Sequence, residues 1–252
     1  MRKFFVSSNQ INEDRISITN EDVNHIRNVL RLKTGCKIKI NDTDNNISYI
    51  CDIEEIEKEE VICKIIEKIE NKTENNVDIH VFQGLPKADK MELIIQKCTE
   101  LGASAFIPVN FKRSIVKLEG HDADKKIERW QKIAEVAAKQ SERDIIPEVK
   151  TIQKVENICN LMGNYDIVIV AYELEEKNFI KNELLKLKNL KENFKIAVVI
   201  GPEGGIEESE IDILKSAGAH VVTLGKRILR TETAGIQIIS VIMYELESLG
   251  GN

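Results

Sequence analysis

From residue 77 onward, short runs of apolar and β-branched residues alternate with longer amphipathic stretches. This rhythm constrains the fold more than any other feature of the chain. Residues 77–82, 105–109, 165–172, 195–200 and 220–224 read as strands, and residues 89–101, 124–141, a segment through Leu184 and Leu185, 206–217 and 231–248 read as helices. In the first of these helices Met91, Ile94, Ile95, Cys98 and Leu101 share one face, and Gly102 is placed to end it. The strands are apolar at nearly every position rather than at every second one. That pattern predicts an α/β domain whose parallel sheet is covered by helices on both faces.

The first 70 residues follow a different pattern. Lys37-Ile38-Lys39-Ile40 alternates cleanly, residues 47–56 and 61–69 are further β-rich runs, and polar turns such as 41–46 separate them. A small antiparallel sheet or barrel is expected there. One helix interrupts it, with Asn20 as its N-cap, Glu21 and Asp22 suited to the positive end of the dipole, and Gly35 just beyond its end. Residues 71–76 are wholly polar, so the chain divides into a domain of residues 1–72 and one of residues 73–252.

Composition excludes several classes of protein. A formal net charge of −6 on 252 residues argues against a polycation that grips nucleic acid through bulk charge. The sum hides unlike regions, however. In residues 1–39 the basic residues exceed the acidic ones by four, while in residues 42–60 the acidic ones exceed the basic by seven. The longest apolar run, residues 167–172, is far too short to span a membrane, and the N-terminus lacks the apolar core of a signal peptide. Cys36, Cys51, Cys63, Cys98 and Cys159 form no CxxC, which fits reduced thiols in a cytoplasmic protein. His25, His80, His121 and His220 have no ligand spacing, so no metal is expected.

Two segments at the C-terminal ends of expected strands hold the candidate chemistry, because ligands of open parallel sheets bind at that edge. The first is Ile200-Gly201-Pro202-Glu203-Gly204-Gly205-Ile206. It reads either as a tight turn or as a loop whose backbone approaches a ligand closely. The dinucleotide fingerprint needs glycine where Glu203 and Ile206 stand, and no P-loop Gly-Lys-Ser/Thr follows. With Glu207, Glu208 and Glu210 in the next turn, the loop suits a neutral or cationic ligand better than a phosphate. The second segment is Leu224-Gly225-Lys226-Arg227-Ile228-Leu229-Arg230-Thr231-Glu232-Thr233-Ala234-Gly235. Thr231 could cap the last helix there. Ile228 and Leu229, set between cations, could wall a purine or thioether.

IGPEGGIEESE followed by LGKRILRTETAGI resembles the paired C-terminal motifs of the SPOUT methyltransferases, and within them those of the RsmE family, the small-subunit ribosomal RNA methyltransferases E. The likeness extends upstream to the opening MRKFFV, to His25 with Val29-Leu30-Arg31, to Gln83-Gly84-Leu85-Pro86-Lys87, to residues 93–102, and to Arg129-Trp130 and Lys139-Gln140-Ser141. It covers nearly the whole chain in order. The chain departs from the family pattern at residues 110–114 and at Ser141-Glu142-Arg143, where glycine often holds the middle position.

The resemblance implies a small N-terminal PUA-like β-barrel and a C-terminal SPOUT-type α/β domain with a deep trefoil knot. It also implies a homodimer, S-adenosyl-L-methionine as methyl donor, and N3 of a uridine in 16S rRNA of the small ribosomal subunit as acceptor. On this chain the cofactor would meet Ile200, Gly201, Glu203, Leu224, Gly225, Ile228, Leu229, Arg230 and Thr233. Uracil N3 becomes nucleophilic only as its proton leaves, so a cation near a carbonyl and a base near N3 are both wanted. Arg230 suits the first task and Glu232 the second, with Glu203 behind it; alternatively Arg230 and Glu232 pair with each other and hold the loop. The expected RNA-facing surface comprises Arg27, Arg31, Lys87, Lys90, Arg113 and Arg143. Competing readings are a methyltransferase acting at another RNA position and a non-catalytic RNA-binding or ribosome-assembly module.

Overall fold

The computed structural model of the protein describes residues 1–71, 73–74, 76–187 and 193–247; Ser248, expected to end the last helix, lies outside them. The chain forms two compact units. The first comprises Met1–Glu74 and Lys139–Ile146, and the second comprises residues 75–138 and 147–252.

The first unit contains strands β1 (Arg2–Val6), β2 (Ile11–Asn12), β3 (Arg15–Thr19), β4 (Lys37–Asp42), β5 (Ile47–Ile56) and β6 (Glu60–Ile69), and the short helix α1 (Glu21–Asn24). The sheet order is β1-β4-β5-β6-β3-β2, with no ladder joining its two ends among the described residues. Every second residue points into one core, as with Ile16 and Ile18, Ile38 and Ile40, and Cys51 and Ile53. The sheet is not wholly antiparallel, since β1 pairs with β4 in parallel. Thirty residues of intervening chain supply the crossover that parallel pairing requires. After α1 the helix widens, with the Leu30 N–H donating to the His25 carbonyl at 2.8 Å. Asn20 makes no side-chain cap, and Gly35 donates to the Ile53 carbonyl at 2.8 Å, joining the sheet rather than ending the helix.

The segment Lys139–Ile146 is held in this unit by buried charge. Asp144 Oδ1 accepts from Lys3 Nζ at 2.6 Å and Lys39 Nζ at 2.8 Å, and Asp144 Oδ2 accepts from the Thr73 hydroxyl at 2.6 Å and its N–H at 3.0 Å. Burial alone would raise the Asp144 carboxyl, but the hydrogen bonds from Lys3, Lys39 and Thr73 outweigh it and hold the group far below the usual carboxylate range. Glu142, at a φ of 58°, shows why glycine is common at its position, because the backbone there is left-handed.

The second unit is an α/β layer structure. Its strands are β7 (Val77–Gly84), β8 (Ala105–Val109), β9 (Glu148–Val149), β10 (Ile167–Ala171), β11 (Phe194–Ile200) and β12 (His220–Val222), in the order β12-β10-β11-β7-β8-β9 and parallel throughout. Its helices are α2 (Lys90–Glu100), α3 (Gly120–Gln140, entering the first unit at its last two residues), α4 (Val155–Leu161), α5 (Ile180–Leu187), α6 (Glu208–Ser216) and α7 (Thr231–Glu247). The continuous apolar strands divide by parity. Ile79, Val81, Ile196 and Val198 face a core shared with α2, α3, α5 and α7, while Phe82, Val168, Ala197 and Val199 face one shared with α4 and α6. After β12, at one edge, the chain returns so that α7 packs on α2 and against the central strands β7 and β11.

Candidate functional site

Because the sheet is parallel, the C-terminal ends of β10, β11 and β12 open on one side, and the loops that follow them enclose a cavity of about 520 Å³. Ile200, Leu224, Leu229 and Ala234 give it apolar walls. Residues 201–205 and 223–231 supply backbone on either side, with Gly225 at a φ of 124° turning the chain away from β12. Thr231 fixes the two loops together: its buried hydroxyl donates to the Gly201 carbonyl at 2.7 Å and accepts from Gln83 Nε2 at 2.8 Å. It therefore joins loops rather than capping α7, as its sequence position suggested.

The charges at the site form an uneven network. Lys90 Nζ lies 2.9 Å from Glu203 Oε1 and 3.5 Å from Glu232 Oε2. Burial would raise Glu203, but Lys90 and the Lys87 N–H, which donates at 3.0 Å, hold its carboxyl below the ordinary value. Glu232 is less committed, since its Oε2 is buried and makes no hydrogen bond. Arg230 is exposed and has no ion pair among the described residues, so the Arg230–Glu232 pairing is not what holds this loop. Two of the acids after the glycine loop are engaged elsewhere. Glu210 accepts from the N–H groups of Glu207 at 3.1 Å and Lys112 at 2.9 Å, and Glu207 pairs with Lys112 at 3.0 Å. They fasten the start of α6.

The structure brings Ile200, Gly201, Glu203, Leu224, Gly225, Ile228, Leu229 and Arg230 into the walls of this one cavity. Ile228 stands at its mouth, 83% exposed. Thr233 is exposed and Glu232 half-buried beside Lys90, and neither is in the lining. Lys87, Lys90 and Arg113 gather beside the glycine loop, Arg113 Nη1 lying 3.5 Å from the Gly204 carbonyl. Arg27 and Arg31 are exposed on the first unit, Arg27 donating to the Lys58 carbonyl at 3.2 Å. Arg143 does not fit a phosphate-facing role. It is 5% exposed and ion-paired to Glu74 at 2.5 Å, so a phosphate would have to displace a carboxylate in the interior.

Two participants escaped the sequence reading: Glu173 enters the cavity wall from the end of β10, and Gln83 props Thr231. Lys90, expected to face RNA, instead bridges two carboxylates. The QGLPK motif flagged Gln83's neighbourhood, whereas nothing in the pattern around Glu173 singled it out. Among the described residues no cluster of His, Cys, Asp and Glu could hold a metal ion, and no helix is long and apolar enough to cross a membrane.

Comparison with known proteins agrees with this arrangement. Residues 73–243 match the RNA methyltransferase domain family, and residues 18–66 match the RNA methyltransferase PUA domain. The chain is 39% identical to the ribosomal RNA small subunit methyltransferase E of Bacillus subtilis, over the full length of both. Among solved structures, the ribosomal RNA small subunit methyltransferase E of Neisseria gonorrhoeae bound to S-adenosyl methionine superposes with a TM-score of 0.83 at 28% identity, covering 97% of each chain. The Legionella pneumophila methyltransferase Lpg2936 in complex with the cofactor SAM gives a TM-score of 0.84 at 26% identity, covering 96% of each.

Proposed function

This chain belongs to the ribosomal RNA small subunit methyltransferase E family, and from that premise we propose that it methylates N3 of a uridine in 16S rRNA with S-adenosyl-L-methionine as donor. One observation carries the reading. An apolar-walled cavity closed by two glycine-bearing loops has an unpaired arginine and an under-bonded carboxylate beside it.

The residues fit the cofactor. Ile200, Leu224, Leu229 and Ala234 offer apolar surface for an adenine or thioether, and the loop backbone offers groups to read polar edges. The walls also contain carboxylates, as a ligand with net positive character at its reactive end requires. When bound, S-adenosylmethionine supplies a methyl group on an electron-poor sulfur. The protein aligns the acceptor and handles its proton. Arg230, free of partners, meets a uracil carbonyl with fixed donors as negative charge builds on O2 or O4. Glu232, with acceptor capacity left on Oε2, takes the N3 proton. Glu203 is the weaker base, because Lys90 and the Lys87 amide stabilise its charged form. Its task is to hold Lys90 beside Glu232.

The same reading assigns the unit around residues 1–72 to gripping rRNA through Arg27 and Arg31, and Lys87, Lys90 and Arg113 to phosphates near the reacting base. It places the enzyme in the cytoplasm as a homodimer acting on the small subunit. It also takes the return of α7 to the middle of the sheet, with Thr231 lodged between Gln83 and Gly201, as part of a trefoil-knotted SPOUT topology. The test is direct. Incubation of the protein with methyl-labelled S-adenosylmethionine and small subunits from cells lacking it should place one label on a uridine N3 of 16S rRNA. Label on a ribose or another base would retain the class and reject the position, and no label would reject the enzyme.

A further inference from the structure

The glycine loop seats a side chain as well as a ligand. Gly205 has a φ of 72°, and a β-carbon built on it would lie 2.1 Å from Glu173 Oε1 and 3.2 Å from its Cδ. The Glu173 carboxylate therefore occupies the space that any side chain at 205 would claim. It rests on the loop, just past the end of β10, in the wall of the cavity. Glu203 in the same wall is engaged by Lys90 and the Lys87 amide, whereas Glu173 makes no ion pair or hydrogen bond among the described residues. Lys226 and Arg227 also line the cavity but are exposed and do not pair with it. The negative field is felt locally: burial first, and then Glu173 and Glu208, push the neighbouring Tyr172 phenol up.

We propose that Glu173, seated on Gly205, is the counter-ion for the positive charge of the bound cofactor, taking either its ammonium or its sulfonium group. The inference rests on the S-adenosylmethionine reading above and adds to it a side chain that selects for charge. Glu173 is exposed and so hydrated in the free protein; with no cation of its own, it gains an ion pair when a cationic ligand enters the partly enclosed cavity and displaces that water. The apolar walls would hold adenosine and thioether groups alike, so they cannot distinguish a charged cofactor from a neutral analogue. Glu173 can. Glycine at 205 then leaves room for that carboxylate as well as shaping the turn.

Calorimetry on the full chain tests this with three ligands: S-adenosylmethionine, S-adenosylhomocysteine (ammonium but no sulfonium) and 5′-methylthioadenosine (neither charge). Glu173→Gln should weaken S-adenosylmethionine about tenfold and leave 5′-methylthioadenosine unchanged. An equal loss for S-adenosylhomocysteine assigns the ammonium, and no loss assigns the sulfonium. Gly205→Ala, which displaces the carboxylate, should reproduce the loss and add little to Glu173→Gln in the double variant. Unchanged S-adenosylmethionine affinity in Glu173→Gln overturns the proposal. So does an equal loss for 5′-methylthioadenosine, which would make Glu173 a shaping residue only. If the wild-type protein bound none of the three, the cofactor reading itself would fall, a result distinct from either.

Discussion

Asp144 in the first unit and the carboxylates in and beside the cavity of the second are treated in opposite ways: Asp144 is buried, whereas Glu173 is exposed and Glu232 half-buried. Asp144 is saturated, with two lysines, a threonine hydroxyl and a backbone N–H filling its acceptor sites. Glu232 keeps a buried oxygen without a hydrogen bond, and Glu173 has no partner among the described residues. A carboxylate that holds a fold is one whose valences are all filled, because any vacancy in the interior costs stability. A carboxylate that meets a substrate must leave a valence open. The contrast separates structural from functional acids without reference to their position in the sequence.

The largest effect should come from breaking the saturated site. Asp144→Ala leaves Lys3 buried without its counter-charge and should cost about 3–5 kcal/mol in urea unfolding; a loss under about 1 kcal/mol would erase the contrast. At the open site, Arg230→Ala should slow methyl transfer about a hundredfold to a thousandfold. Because Arg230 has no partner to lose, unfolding stability should stay within about 0.5 kcal/mol of wild type. Acid should act chiefly on the saturated carboxylate. The folded-state value of Asp144 is depressed, so its contribution is complete above the unfolded carboxylate range and declines as pH falls below about 4. Between pH 5 and pH 3 the protein should lose about 1 kcal/mol on this account, and Asp144→Asn should flatten that slope. The smallest effect is a gain: Glu142→Gly relieves a left-handed residue and should stabilise the protein by about 0.5–1 kcal/mol in the same unfolding assay.

Local periodicity and composition made much of the second unit legible. The strand 105–109 and the helix that starts at Asp89 and is closed by Gly102 fall where the pattern places them, since each depends on neighbours within a few positions. The cavity was legible to the extent that its walls are two contiguous motifs, residues 200–206 and 224–230. Lys90 reads as a surface cation until Glu203, over a hundred positions away, is folded against it. Glu173 reads as one more acid in Glu173, Glu175 and Glu176 until Gly205 supplies its seat. Arg143 looked like an RNA contact because its partner Glu74 is 69 positions distant. The parallel pairing of β1 with β4 is another long-range choice that alternation cannot report. Periodicity reveals which face of an element is apolar, whereas ion pairs and parallel registers are decided by remote chain.

The Asp144 site also has a consequence for the order of events during synthesis. The strands of the first unit leave the ribosome complete by Glu74, yet the carboxylate that satisfies Lys3 and Lys39 is made about seventy residues later. Until then two ammonium groups and the Asn41 and Thr73 donors must stay hydrated, which keeps that end of the sheet from sealing. The N-terminal unit is therefore begun first and finished late, so it cannot be excised at residue 72 as an independent module without stranding its buried lysine.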